Sequence, residues 1–97
     1  MIVSAGENVY PLELEQVLIN HPSIEDVAVI GIDDELFGQR LKAFVQPLKN
    51  AALTEAELYE WLRPRVARFH MPKNIVLIDQ MPYTALGKLD KKQLKLL

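Results

Sequence analysis

Val27-Ala28-Val29-Ile30-Gly31-Ile32, then Asp33-Asp34-Glu35 and Phe37-Gly38, then Leu41-Lys42-Ala43-Phe44-Val45-Gln46, is the stretch that decides the fold class. The first run is apolar apart from Gly31 and reads as a buried strand. The acidic triplet closes it as a polar turn. The second run alternates, with Leu41, Ala43 and Val45 on one face and Lys42, Phe44 and Gln46 on the other. The second face is mixed, so this strand reads as half-buried. Pro47 ends it.

Upstream, Ile2-Val3 is an extended start and Ser4-Ala5-Gly6-Glu7-Asn8 a turn, in which Gly6 can take positive φ and Asn8 tolerates it. Pro11 suits the first position of a helix, and Glu13 and Glu15 suit its N-terminal dipole. Leu14, Val17 and Leu18 give that helix one apolar face, and Asn20-His21-Pro22 stops it. Downstream, Thr54 and Glu57 form a capping box, with Leu53 and Leu58 as its hydrophobic staple. Leu58, Trp61, Leu62 and Phe69 suit one buried stripe, while Pro64 predicts a kink or restart before Met71-Pro72 ends the helical region. Asn74–Asp79 reads as a third strand. After a Pro- and Gly-containing loop, Asp90 caps a final short helix docked by Leu94 and Leu97. The order predicts an α+β fold: a small sheet of about three main strands plus a short N-terminal hairpin-like segment, packed by helices.

Ninety-seven residues make one small domain. Hydrophobic residues at 49% and charged residues at 25% exclude a disordered or low-complexity chain. The absence of Cys excludes a disulfide scaffold, a thiolate zinc site and a thiol nucleophile. No apolar run approaches the roughly 20 residues that span a bilayer, and no basic segment and cleavage site follow Met1. No transmembrane segment and no secretory signal are expected, and a cytoplasmic location is. The net charge of −2 hides an asymmetry: residues 1–35 hold eight acids and no Lys or Arg, while residues 36–97 hold eleven basic residues against five acids. Such a distribution can present a face to a nucleotide or an acidic protein, or can be an ordinary solvated helix face.

The candidates for chemistry are few. His21 and His70 lack a second ligand at a useful spacing, so no metal site is expected. Glu13 and Glu15 diverge on a helix, and dipole complementarity explains them. The acids Glu25, Asp26, Asp33, Asp34 and Glu35 lack the spacing and central Gly of a calcium loop and read as solvated turns. Gly87-Lys88 stands out. A Gly turn, a point cation and the start of a capped helix together favour phosphate, although the spacing of a P-loop is absent and these local features equally suit an ordinary solvated lysine.

Two separated stretches carry a resemblance. Ile2 to Pro11, with Glu13 and Glu15, is similar to the segment after the interdomain hinge of acyl-CoA synthetases in the adenylate-forming (AMP-binding) superfamily. Pro82-Tyr83-Thr84-Ala85-Leu86-Gly87-Lys88-Leu89 resembles that family's closing Pro-x-Thr-x-x-Gly-Lys motif. Between them His21-Pro22, Asp26 to Gly31, Asp34-Glu35, Gly38, Ala43-Phe44-Val45, Leu53-Thr54 and Pro72 fall in the family's order. Ala5 stands where many relatives have Gly, Leu86 where Ser or Thr is common, and Pro64 in a helix often unbroken.

The resemblance implies that residues 1–97 are the single C-terminal lid domain of an acid–thiol ligase, inactive alone, with the N-terminal ATP- and acid-binding domain absent. It implies Mg-ATP and coenzyme A as cofactors. Its partners would be its own adenylation domain and a carboxylic acid substrate, with no nucleic acid. Lys88 would be the catalytic lysine of the adenylation step. Gly87 would help shape its site, and Ala5, Gly6 and Glu7 would enter for the thioester step after the lid rotates. The alternative is a free-standing, non-catalytic lid-like module that binds a partner protein or a nucleotide.

Overall fold

The computed structural model describes residues 1–97. One five-stranded sheet carries the fold: β1 (Ile2–Ser4), β2 (Glu7–Val9), β3 (Ile24–Asp34), β4 (Gly38–Pro47) and β5 (Asn74–Leu77). β3 and β4 form a long antiparallel hairpin from Ile24↔Pro47 to Asp34↔Gly38. On its other edge β4 pairs in parallel with β5 and, through Ser4↔Gly38 alone, with β1. β1 and β2 form a tight antiparallel hairpin, so the hairpin-like segment joins the main sheet and does not stand apart from it.

Period-two alternation sorts the side chains between two cores. Val29, Leu41, Ala43, Val45 and Ile75 face α1 (Pro11–Leu18) and α2 (Glu55–Leu62), meeting Leu14, Leu18, Leu58 and Leu62. Ala28 and Phe44 face the other way, onto Met81 and Leu94. Leu94 lies in α3 (Lys91–Lys95). Both faces of β3 and β4 are therefore covered. The half-buried reading of β4 is corrected: Phe44 is fully buried, and its mixed-face neighbours are used. Lys42 Nζ lies 5.2 Å over the Phe44 ring, and Gln46 Oε1 accepts the Met81 N–H at 2.7 Å. Burying a Phe side chain contributes roughly 1.5–3 kcal/mol, which makes Phe44 the anchor of the smaller core.

Several boundaries move. β3 runs on through Asp33 and Asp34, because the reversal needs only residues 35–37. α1 ends at Leu18, ahead of Asn20-His21-Pro22, with the His21 N–H closing the turn on Leu18 O at 2.9 Å. Thr54 caps α2 by accepting the Glu57 N–H at 3.2 Å, although the reciprocal half of the box does not form. Pro64 neither kinks nor restarts α2. The helix stops at Leu62, and only a 3₁₀ turn, Arg68–His70, follows. Phe69, on that turn, is exposed and leaves the expected stripe; Leu97, expected to dock the last helix with Leu94, is exposed as well, and Leu94 alone is buried.

Candidate functional site

The Lys88 loop is a small hairpin. Tyr83 and Leu89 bridge across it, and Thr84 closes it from inside. The Thr84 N–H donates to Lys88 O at 2.7 Å, and the Gly87 N–H donates to Thr84 O at 2.9 Å. The Lys88 N–H donates to Thr84 Oγ1 at 3.3 Å. Gly87 takes φ +83°, which lets the chain reverse immediately before Lys88. The Lys88 backbone is thus held at both N–H and C=O, while its side chain makes no hydrogen bond or ion pair and is exposed. A desolvated anion brought to this point would meet an uncommitted ammonium with three donors. The neighbouring helix terminus contributes less than expected. α3 has five residues, and its cap Asp90 already accepts the Gln93 N–H at 3.1 Å.

The hairpin is tethered at its base. The Tyr83 hydroxyl donates to Asp26 Oδ2, and the Asp90 N–H donates to Pro82 O at 2.9 Å. Asp26 lies near the start of β3 and is engaged by this tie, so it departs from the solvated-turn reading, whereas Glu25, Asp33 and Glu35 are exposed as expected.

A second turn lies by the far end of β3. Ala5 takes φ +49° and Gly6 φ +82°, the two consecutive positive values of a type I′ hairpin. The reversal is therefore confined to Ala5-Gly6. Glu7 and Asn8 belong to β2, and Asn8 is not the second left-handed residue. The Ala5 N–H donates to Phe37 O at 2.8 Å, and Asp34 Oδ2 accepts the Leu36 and Phe37 N–H groups at 3.1 and 2.9 Å. Asp26 and Asp34 are eight residues apart on β3, which places the anchors of the two loops roughly 26 Å apart at ~3.3 Å per residue.

Beside the Ala5 turn opens a cleft of about 470 Å³, lined by Ala5, Glu7, Phe37, Arg40, Arg68 and Phe69 among others. Arg40 stacks over the Phe37 ring, 5.4 Å from its centroid. Phe37 and Phe69 keep about two-fifths of their surface exposed, at 41% and 39%. Sequence reasoning did not distinguish Arg40 and Arg68 from the other basic residues; the 3₁₀ turn brings Arg68 to the cleft, and a register position on β4 brings Arg40.

The remaining candidates hold structure. Glu15 Oε1 accepts the Val29 N–H at 2.8 Å, so it caps the open edge of β3 as well as sitting in the first turns of α1. His21 Nδ1 accepts the Ser23 N–H at 3.0 Å. His70 Nε2 lies 3.2 Å from Glu13 Oε2, off the line needed for a hydrogen bond, and so remains without an aligned partner.

A covered sheet that presents one free lysine hairpin and, by the far end of the same strand, a strained turn beside a basic aromatic cleft is a loop-presenting domain; neither loop carries an acid–base pair of its own. Residues 13–88 match the family described as AMP-binding enzyme C-terminal domain, and the chain belongs to that family. It is 42% identical over 95 residues to an indoleacetate–CoA ligase of Aromatoleum aromaticum, covering 98% of this chain and 19% of that protein. It is 41% identical over 95 residues to a 2-succinylbenzoate–CoA ligase of Geobacillus kaustophilus, with the same coverage. A solved Mycobacterium tuberculosis fatty acyl CoA synthetase matches with a TM-score of 0.84 at 39% identity, covering 97% of this chain and 18% of that one. The chain spans about a fifth of the length of the curated relatives it matches. No helix is long and apolar enough to cross a membrane.

Proposed function

We propose that this chain is the lid of an AMP-forming acid–thiol ligase and serves two steps with two different loops. In the first, a carboxylate oxygen attacks the α-phosphorus of Mg-ATP and pyrophosphate leaves. In the second, the thiol of coenzyme A loses its proton, attacks the acyl carbon, and AMP leaves. Lys88 supports the first step by placing a cation where charge gathers on the phosphoryl oxygens, in a site closed against water. The Ala5-Gly6 turn supports the second by offering backbone without bulk beside the cleft. Arg40 and Arg68 fit a phosphorylated ligand there, and the exposed faces of Phe37 and Phe69 fit a flat or apolar one. The adenylation domain, the acid substrate and a cytoplasmic setting belong to the same proposal.

The observation that carries this reading is the uncommitted Lys88 side chain on a hairpin whose backbone is bonded on both sides of it. Its test separates the half-reactions in the complete ligase, with pyrophosphate exchange reporting the first and thioester formation from supplied acyl-adenylate reporting the second. Lys88→Ala should remove the first and spare the second. Equal loss of both would overturn the division.

A further inference from the structure

We infer that Asp34 is a positioning residue for the thioester step: tied to Lys73, it fixes the Leu36–Phe37 turn, and Phe37 in turn holds Ala5 at the tip of the β1–β2 hairpin. This rests on the role proposed above for the Ala5-Gly6 turn.

Asp34 is an acid with only 8% of its side chain exposed, and a charge so enclosed must be paired and hydrogen-bonded. Both oxygens are used. Oδ2 takes the Leu36 and Phe37 N–H groups at 3.1 and 2.9 Å, and Oδ1 takes Lys73 Nζ at 2.7 Å. Capping a turn needs only the first oxygen. The second reaches a lysine 39 residues downstream, just ahead of β5, whose own N–H donates to Leu41 O at 2.8 Å. The turn is thereby referenced to the sheet from both edges of β4.

Phe37 passes that placement on. Its carbonyl accepts the Ala5 N–H at 2.8 Å, and its ring lines the cleft under Arg40. Apart from Phe37, the β1–β2 hairpin is held by one bridge at Ser4↔Gly38, a 3.2 Å bond from the Val3 N–H to Gln39 Oε1, the packing of Ile2 and, at its base, the fully buried Val9. Ile2 and Val9 hold the base of the hairpin, whereas the Phe37 carbonyl bonds Ala5 at its tip, so releasing Phe37 loosens the tip. Asp34 acts through Phe37 at one remove from the cleft, so it is placed here as a positioning residue.

The test uses Asp34→Ala, the near-isosteric Asp34→Asn, which keeps one acceptor oxygen, and Lys73→Met, which keeps the turn bonds. In the 97-residue chain, amide hydrogen exchange at Ala5 and Phe37 should rise about tenfold in Asp34→Ala, with amides in β4 unchanged. In the complete ligase, thioester formation from supplied acyl-adenylate should fall about tenfold to a hundredfold, with a raised KM for coenzyme A. Pyrophosphate exchange should stay within about twofold, because Lys88 is anchored elsewhere. Asp34→Asn and Lys73→Met should each lose less than Asp34→Ala, because each keeps some of the Asp34 bonds. Unchanged exchange at Ala5 overturns the positioning chain itself. Faster exchange with an unaffected thioester step overturns the role of the Ala5 turn while leaving the chain of bonds intact. Equal loss of both half-reactions makes Asp34 a merely structural residue and overturns the inference.

Discussion

The Tyr83 hydroxyl donates to the Asp26 carboxylate across 57 positions of sequence and pins the Lys88 hairpin to β3. Asp26 is itself fixed, since its other oxygen accepts the Val27 N–H at 2.8 Å. Tyr83→Phe keeps the ring and removes the tie. Acyl-adenylate formation should fall about threefold to tenfold, as for one hydrogen bond to a charged group at an exposed site, with thioester formation unchanged. The hydrogen bond to Asp26, with burial and the carboxylate charge behind it, also holds the Tyr83 phenol above its ordinary 10.0. The tie is therefore complete below that value and is lost as pH rises through the higher folded-state value. Wild type should lose its stability advantage over Tyr83→Phe only in that alkaline range, measured by urea midpoints.

Lys88→Ala in the complete ligase should lower pyrophosphate exchange by about a hundredfold to a thousandfold, the range for removing one preorganised donor from a transition state. Lys88→Arg should not restore it, because a planar fork cannot replace a point charge at the end of a four-carbon stem. Urea midpoints of both variants should match wild type, since the Lys88 side chain holds nothing within the domain. A shifted midpoint would show a structural role instead.

Gly6 and Ala5 separate strain from function. A Cβ at Gly6 meets nothing within 4 Å, but φ +82° strains any L residue. Gly6→Leu should therefore destabilise by about 1–2 kcal/mol. It should depress the thioester step far more than adenylation, because its bulk projects into open space beside the cleft. Ala5→Gly relieves the φ +49° strain and adds unfolded-state freedom, so its unfolding free energy should change by no more than about 1 kcal/mol.

Asp34 is held below its ordinary 3.8 first by the Lys73 hydrogen bond and then by the Phe37 N–H. A lowered folded-state value means the stabilisation is fully present above that ordinary value and is lost as pH falls through the folded one. The gap in urea midpoint between wild type and Asp34→Asn should stay constant from neutral pH to about pH 4, then close below it. A gap that closes between pH 7 and 5 would point to another group.

Gly31→Ala tests the seat of the first hairpin. A Cβ there would stand 2.6 Å from Ile2 Cγ2, so Ile2 must move. Since β1 bridges β4 at one residue pair only, the hairpin should shift with it, at about 1–3 kcal/mol. Trimming Ile2→Ala in the same chain should recover part of that loss by removing the clash.

The helices, the long hairpin and the Lys88 motif were legible because each is written locally, as a Pro at a helix start, Thr54 at a cap, or alternation along β4. The parts that were not legible depend on distant partners. Phe44 looked half-exposed until Met81 and Leu94, 37 and 50 residues later, covered it. Asp26 and Asp34 read as solvated acids because Tyr83 and Lys73, which employ them, lie far downstream. The Ala5 turn was placed too broadly because alanine carries no mark of positive φ; only the two-residue hairpin around it imposes one. The parallel pairing of β5 has no local signature and follows from α2 crossing over the sheet.

β3 also works as a spacer of fixed length. Hydrogen-bonded to β4 along its length and packed on both faces, it cannot fold in half to bring Asp26 toward Asp34. On the proposed division of labour, a reaction centre that admits Lys88 would have the Ala5 turn anchored about five helical turns' length away, roughly 26 Å. Two loops held so far apart on one strand would enter one small centre in turn, not together. The two proposed steps would be kept apart by mutual exclusion, as in a double-ended key that can turn only one lock at a time.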